Sequence, residues 1–238
     1  MPIEIGRIEA IYRYPVKSMR GELLQAADLG WHGIDGDRRL AFQKLDDPGG
    51  FPFLSASKLP ELVRMTPLRR GGSEHVLLPG GRELPLFGEE LAAEVGRRCG
   101  LRVRMMRLNH GIFDEACISV IASGTVREIG RLAQRDVDAR RFRPNILVRS
   151  AREVPFEEDE WVGGVLRFGE EAAAPAVAVT LRDLRCSMVN LDPDSAAADA
   201  EVMKAVVRAN DNTAGVYCAV TRTGRLAVGQ RVILESRA

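Results

Sequence analysis

Short runs that alternate between apolar and polar residues dominate the chain, and this is the pattern of half-buried β-strands. The first run, IEIGRIEAIYRYPV (residues 3–16), continues until Pro15, a residue tolerated at a strand end but not inside a ladder. HVLLPGGRELPL (75–86) predicts a hairpin that turns at Gly80 and Gly81. Further strands are predicted in ACISVIA, PNILVR, WVGGVLRFG, AVAVTLRD, GVYCAVTR and RLAVGQRVILE.

Helical periodicity is confined to a few segments, GEELAAEVGRRCG (88–100), SGTVREIGRLAQ (123–134) and ADAEVMKAVVRAN (198–210). The order of elements therefore favours a mainly β (α+β) fold, in which a β-barrel packs with an N-terminal β-rich module and a few peripheral helices. The polar segment RLNHGIFDE (107–115) is the predicted boundary. It divides the chain into an N-terminal module, residues 1–110, and a second domain, residues 111–238.

Charge and hydropathy exclude several classes of protein. The 238 residues carry 34 Lys and Arg against 33 Asp and Glu, a formal charge of +1, so no overall field favours nucleic acid or an anionic membrane. The first residues contain no apolar run of signal-peptide length, and no long apolar window follows. We therefore expect a cytoplasmic protein that binds neither nucleic acid nor membrane.

The four cysteines, at positions 99, 117, 186 and 218, are widely spaced and form no C-x-x-C pair. This spacing argues against a structural zinc site and a disulfide framework. Cys186 differs from the others because it follows Arg185 in the polar segment LRDLRCSMVNLDPDSA (181–196). A neighbouring guanidinium favours the thiolate. The residues alone leave open whether this sulfur binds a metal, acts as a nucleophile or is inert.

Two cationic segments lie near predicted strand ends in the first half. YPVKSMRG places Lys17 and Ser18 in a turn, where an ammonium and a hydroxyl could hold an anionic oxygen. The alternative for Lys17 is an ordinary solvated lysine. GWHGIDGDRRLAF predicts that Arg38 and Arg39 enter a strand and point to opposite faces. The alternative is an ion pair between Asp37 and an arginine that closes a loop.

A third cationic segment, DARRFRPNILV, crowds Arg140, Arg141 and Arg143 at a strand entry. Pro144 predicts an extended conformation for Arg143, and Asn145 is expected to begin the strand. A phosphate or carboxylate would relieve the repulsion among these cations. The alternative is neutralisation by the acidic run PFEEDEW (155–161) that follows.

These segments together resemble one family. YPVKSMRG, GIDGDRRLAF, RFRPNILV, PFEEDEWVGGVLRFG, RCSMVNLDPDS and GVYCAVTRTGRLAVGQRV occur in the order and spacing of MOSC (molybdenum cofactor sulfurase C-terminal) domain proteins with an N-terminal MOSC β-barrel domain. The resemblance extends over about residues 3 to 234. Within this family the chain is similar to the amidoxime-reducing and hydroxylaminopurine-reducing members. It differs from many of them at Asp183 and Leu184, where those relatives carry a cysteine and a serine.

The resemblance implies a site and an activity. Cys186 corresponds to the catalytic cysteine that ligates molybdenum, and the residues that correspond to contacts with the molybdenum cofactor (molybdopterin) are Lys17, Ser18, Arg38, Arg143, Asn145, Ser123 and Thr125. The implied activity is reduction of small N-hydroxylated compounds at molybdenum, with electrons from an external flavin or iron–sulfur donor. The alternatives are a sulfur transferase that carries a persulfide on Cys186, and a non-catalytic carrier of the cofactor.

Overall fold

The computed structural model describes residues 2–46 and 50–235, and strands make up most of its regular structure. In the first half of the described chain these are β1 (Ile3–Arg13), β2 (Glu22–Leu24), β3 (Ala26–Gly30), β4 (Gly33–Ile34), β5 (Leu40–Lys44), β6 (Thr66–Arg70), β7 (Ser73–Leu77), β8 (Glu83–Pro85) and β9 (Val103–Arg107). In the second half they are β10 (Ile118–Ala122), β11 (Ile146–Ser150), β12 (Val165–Phe168), β13 (Ala176–Leu184), β14 (Thr213–Arg222), β15 (Gly224–Ala227) and β16 (Arg231–Glu235).

The helices of the described ranges are few and short. The α-helices are α1 (Glu89–Cys99), α2 (Ser123–Ala133) and α3 (Ala200–Asn210). Four 3₁₀ helices occupy Pro60–Arg64, Ala139–Phe142, Glu157–Trp161 and Ser187–Asn190. None of the helices in the described part of the chain is long and apolar enough to cross a membrane.

Seven strands close into a barrel, in the order β11, β10, β14, β13, β12, β16, β1 and back to β11. Every neighbouring pair in this ring is antiparallel except β10 and β11, which are parallel. Helix α2 connects this parallel pair, as a crossover between parallel strands requires. The predicted mainly β fold, with a barrel and peripheral helices, is therefore confirmed.

Three apolar clusters stabilise this arrangement by removing side chains from water. The barrel interior contains Ile8 and Ile11 of β1 together with Val120 of β10, which shows that the first strand belongs to the barrel of the second half. A second cluster packs α1 and the 3₁₀ helix Pro60–Arg64 against β5, β7, β8 and β9. A third lies outside the barrel, under α2 and α3.

Two local predictions about the arginine loops were wrong. Arg38 does not enter a strand, because β5 begins at Leu40, and Arg38 has a left-handed backbone with φ of 49°. Its N–H donates to the Tyr14 carbonyl at 2.7 Å. Arg143 is also left-handed, with φ of 51°, although a proline follows it. It ends the 3₁₀ helix Ala139–Phe142, where its N–H donates to the Arg140 carbonyl.

Candidate functional site

A pocket of about 430 Å³ opens where several loops meet, and we call it the cysteine pocket. The loops that carry the predicted site residues follow β1, precede β5, precede β11 and follow β13. Their residues include most of those predicted for the site, namely Lys17, Ser18, Arg38, Arg143, Asn145 and Cys186. The volume lies within the range of small-molecule sites. The structure thus brings into one pocket residues that are widely separated in the sequence.

Lys17 is a buried ammonium at the wall of this pocket. Its Nζ lies 2.8 Å from Asp114 Oδ1 and 4.9 Å from the centre of the Phe51 ring. Burial lowers the pKa of Lys17, and the nearby Asp114 carboxylate opposes that change. The interpretation of Lys17 as an ordinary solvated lysine was wrong, since only 7% of the residue is exposed.

Arg38 is held in place from several sides. Its Nη1 pairs with Asp37 Oδ2 at 2.5 Å, and its Nη2 donates to the Arg143 carbonyl at 2.9 Å. Asn145 Oδ1 lies 3.4 Å from the same Nη1. The ion pair that closes the loop is therefore present, and Arg38 still lines the cysteine pocket. These contacts fix the direction of the guanidinium before any ligand arrives.

Arg143 is the cation with spare bonding capacity. Its Nη1 donates to the Met19 carbonyl at 2.8 Å, and its guanidinium stacks 4.1 Å from the centre of the Tyr14 ring. Its Nη2 is buried without a hydrogen-bond partner among the described residues. Burial lowers the pKa of Arg143 to about 10, which leaves the side chain charged at neutral pH. An unpaired buried donor is costly unless a ligand accepts its hydrogen bond.

The acidic run PFEEDEW does not neutralise the arginines, so that alternative was wrong. Arg140 pairs with Asp138 and Asp194, and Arg141 pairs with Asp192. Within the described ranges, no carboxylate forms an ion pair with Arg143. The residues of the acidic run bond elsewhere, to Ala122, Thr125, Arg152, Arg182 and Asn210.

Cys186 follows β13 and its side chain is exposed at the pocket. The adjacent Arg185 points inward, because its guanidinium donates to the Ala214 carbonyl at 2.6 Å and the Phe142 carbonyl at 2.8 Å. Its Nη2 also lies 2.7 Å from Asp183 Oδ2. Arg185 therefore anchors the cysteine loop to the barrel, while the sulfur remains accessible.

Asp183 lies deep in the cysteine pocket and was not among the predicted site residues. Oδ2 accepts a hydrogen bond from Ser119 Oγ at 2.9 Å, whereas Oδ1 has no partner in the described part of the chain. Burial raises the pKa of Asp183 to about 6, and Arg185 and the Ser119 hydroxyl limit the rise. The alternation of β13 was the available sequence signal, since it directs Asp183 inward between exposed neighbours.

Ser123 and Thr125 are not brought into this pocket. They begin α2, where Thr125 Oγ1 donates to Glu158 Oε2 at 2.8 Å and accepts from the Phe156 N–H at 2.7 Å. Ser123 Oγ accepts from Arg127 at 3.4 Å. In this structure Thr125 joins α2 to the 3₁₀ helix Glu157–Trp161, and Ser123 bonds within α2.

Three pocket residues share a sparsely populated backbone conformation. Ser18, Arg38 and Arg143 have φ of 67°, 49° and 51°, in the left-handed region that favours glycine. Such residues persist only where surrounding contacts hold them, and they concentrate at functional sites. The sequence gives no signal for this conformation, because none of the three is glycine, asparagine or aspartate.

The fold and the pocket define a class of protein. It is a closed β-barrel in which loops bring several cationic side chains close to one exposed cysteine, Cys186. A sequence model of the MOSC N-terminal beta barrel domain matches residues 5–103, and one of the MOSC domain matches residues 107–233. The chain therefore belongs to the MOSC domain family. This family is associated with the molybdenum cofactor and with sulfurase-like proteins.

One solved structure supports the fold. The crystal structure of the YuaD protein from Bacillus subtilis is similar over 100% of this chain and 99% of that chain, with a TM-score of 0.56 and 14% identity. The crystal structure of YiiM from Geobacillus stearothermophilus aligns with 51% of this chain over 55% of the YiiM chain, with a TM-score of 0.37 and 20% identity. None of the curated proteins compared with the sequence matches it.

Proposed function

We propose that this chain binds the molybdenum cofactor and reduces N-hydroxylated small molecules. The observation that carries the proposal is the position of Cys186, whose sulfur lines the same pocket as Lys17, Arg38 and Arg143. A thiolate is a soft ligand suited to a metal of this kind, and separated cations suit a pterin that carries a phosphate. The donor set therefore fits the cofactor.

Each side chain would have a distinct task in holding the cofactor. Arg143 Nη2 offers an unused hydrogen bond, and Lys17 and Arg38 add positive charge. Asn145 accepts from the Ser119 N–H at 3.1 Å and from Arg38, so it would act by positioning Arg38. Ser18 would donate from its hydroxyl at the pocket wall.

When bound, the cofactor would supply a two-electron reduction in which R–NHOH, two electrons and two protons give R–NH₂ and water. The electrons would come from an external flavin or iron–sulfur donor. Asp183 lines the pocket, its Oδ1 has no hydrogen-bond partner among the described residues, and the carboxyl group would hold a proton there at mildly acidic pH. Phe51 and Leu184 are exposed at the same pocket and would contact the apolar part of a substrate.

Metal analysis tests the proposal. Protein produced in a host that makes the cofactor should contain about one molybdenum per chain, and Cys186→Ser should lose it. Cys99→Ser is the matched control, because Cys99 ends α1 and does not line the cysteine pocket. With a reduced viologen as electron donor, the wild-type protein should convert an N-hydroxylated compound to its amine.

Two other outcomes would contradict this assignment. A protein without molybdenum that releases thiocyanate when treated with cyanide, but not after Cys186→Ser, would be a sulfur transferase. The exposed sulfur of Cys186 is the observation that favours this second candidate. A protein that binds molybdenum but reduces no N-hydroxylated compound would be a carrier of the cofactor.

A further inference from the structure

A second pocket, of about 290 Å³, lies beside the cysteine pocket, and we call it the tyrosine pocket. Tyr12 and Tyr14 at the end of β1 form part of its lining, and Leu23 of β2 lies at its exposed side. The two pockets share Arg141, Arg143 and Met188. Apart from the shared Arg143, no residue of the tyrosine pocket has a task in the function proposed above.

Three residues that line the tyrosine pocket carry buried donors without partners. The Tyr14 hydroxyl forms no hydrogen bond with any described residue, although only 2% of Tyr14 is exposed. Arg143 Nη2 and Arg141 Nε are likewise buried and unpartnered. Burial raises the pKa of Tyr14, so the hydroxyl keeps its proton and remains a donor. Buried donors of this kind are rare in folded proteins and call for an acceptor.

One of the cations that line the tyrosine pocket has no carboxylate partner among the described residues. Four arginines line it, at positions 20, 140, 141 and 143. The carboxylates of Asp138, Asp192 and Asp194 pair with the first three of these arginines. The guanidinium of Arg143 is therefore left to neutralise a ligand with a single negative charge.

The remaining walls are apolar. They are formed by side chains of Leu23, Val63, Met188, Leu191 and Pro193. A cavity of about 150 Å³ is enough to hold benzene, so this pocket has room for a ring and a charged group together. An apolar body would gain from leaving water here, while its charged end would meet the unpartnered donors.

We propose that the tyrosine pocket binds a small organic carboxylate with an apolar body. The carboxylate accepts a hydrogen bond from the Tyr14 hydroxyl and pairs with Arg143, and the apolar body packs against Leu23 and Leu191. The ligand thereby satisfies donors that the folded chain leaves unsatisfied. Because Arg143 belongs to both pockets, this ligand also contacts the side chain that separates the two sites.

Benzoate is the probe for this site, and its binding to the purified full-length chain is measured by calorimetry and ligand-observed NMR. We expect saturable binding that weakens roughly tenfold or more in Tyr14→Phe, since a hydrogen bond to a charged group is lost. The ring stacked on Arg38 and Arg143 is retained in this variant. Removal of an unpartnered hydroxyl leaves the fold intact, which a thermal melt verifies.

Three controls locate the bound probe. Tyr217→Phe alters a tyrosine of the cysteine pocket and should leave benzoate binding unchanged. Leu23→Trp fills the tyrosine pocket from an exposed position on β2 and should abolish binding. Benzamide, which lacks the charge, should bind at least about tenfold more weakly than benzoate.

Several results would overturn the proposal. Absence of saturable benzoate binding to the folded wild-type chain would do so, as would equal affinity in the wild-type chain and Tyr14→Phe. If Lys17→Met weakens binding while Tyr14→Phe does not, the anion occupies the cysteine pocket instead. Arg143 would also contact the proposed cofactor, so benzoate binding is measured on protein with and without molybdenum. Because binding is read directly and not through turnover, a failure of this proposal is distinguishable from a failure of the proposed reductase.

Discussion

Asp183 and Glu158 are both buried carboxyl groups, but their surroundings differ. Burial raises the pKa of Asp183 to about 6 and that of Glu158 to about 7. Glu158 is bonded at both oxygens, to the Ala122 N–H at 3.4 Å and to the Thr125 hydroxyl at 2.8 Å. Asp183 lines the cysteine pocket, where Ser119 donates to its Oδ2 and its Oδ1 has no hydrogen-bond partner among the described residues. The hydroxyl groups of Ser119 and Tyr217 both limit the rise of its pKa.

A raised pKa does not by itself indicate a functional carboxyl group. Structural networks perturb pKa values as strongly as active sites do. What distinguishes Asp183 is an unpartnered oxygen in a pocket that also contains Cys186. Glu158 instead joins α2 to the 3₁₀ helix Glu157–Trp161, away from that pocket.

The largest effect is expected from Thr125→Val. This change leaves the Phe156 N–H and a Glu158 oxygen without partners in the interior, so the free energy of unfolding should fall by about 4 kcal/mol. Denaturant titration at pH 8 measures the loss. Thr180→Val, at an exposed position on β13, is the control and should change stability by less than about 1 kcal/mol. Equal losses in the two variants would show that the Glu158 network is not structural.

Glu158→Gln should change how stability depends on pH. Because the folded chain raises the pKa of Glu158 from 4.5 to about 7, it binds this proton more tightly than the unfolded chain does. As the pH rises from 4.5 to about 7, this group should therefore lower the free energy of unfolding by about 3 kcal/mol. Above about pH 7 its contribution should no longer change with pH.

In Glu158→Gln that part of the decline should disappear. The remaining loss of stability should come from Asp183 and should occur as the pH rises from its ordinary pKa of 3.8 to about 6. Denaturation curves recorded across this range in both proteins give the difference. A decline that still extends to pH 7 in the variant would contradict the assignment to Glu158.

The smallest of the three effects is expected from Ser119→Ala. The Ser119 hydroxyl favours the charged form of Asp183, so its loss should move the pKa of Asp183 above about 6 and reduce stability at pH 8 by about 1 kcal/mol. Carbon NMR of the aspartate carboxyl groups follows the titration. Ser57→Ala alters another serine of the cysteine pocket and should leave this pKa unchanged.

The sequence predicted part of the local structure. The first strand, the hairpin at Gly80 and Gly81, the strands of the second half and the α-helices α1, α2 and α3 were predictable because apolar periodicity and turn residues act locally, whereas β2, β3, β4, β6 and β9 were not predicted. The convergence of Lys17, Arg38 and Arg143 was inferred from the order of the motifs, and the structure places them in one pocket.

Features that depend on distant packing were not readable. The partners of the acidic run, the inward direction of Arg185 and the positions of Ser123 and Thr125 all follow from how β10, β13 and α2 assemble. The tyrosine pocket could not be predicted for the same reason. Its unpartnered donors belong to Tyr14, which follows β1, and to Arg141 and Arg143, which lie in and just after the 3₁₀ helix Ala139–Phe142. Tyrosines in an alternating segment predict only burial.

The left-handed backbones of Ser18, Arg38 and Arg143 position side chains in the cysteine pocket at a cost in thermal stability. Glycine adopts this conformation without the steric cost of about 1 kcal/mol that other residues bear. At Ser18 it would relax the fold, whereas at Arg38 and Arg143 it would also remove buried contacts of the guanidinium groups with Asp37 and Met19, which stabilise the fold by more than that cost. Glycine at position 18 would remove a hydroxyl from the cysteine pocket. Laboratory evolution that rewards survival at high temperature alone should therefore enrich glycine at position 18 only, and evolution that rewards turnover should restore the serine.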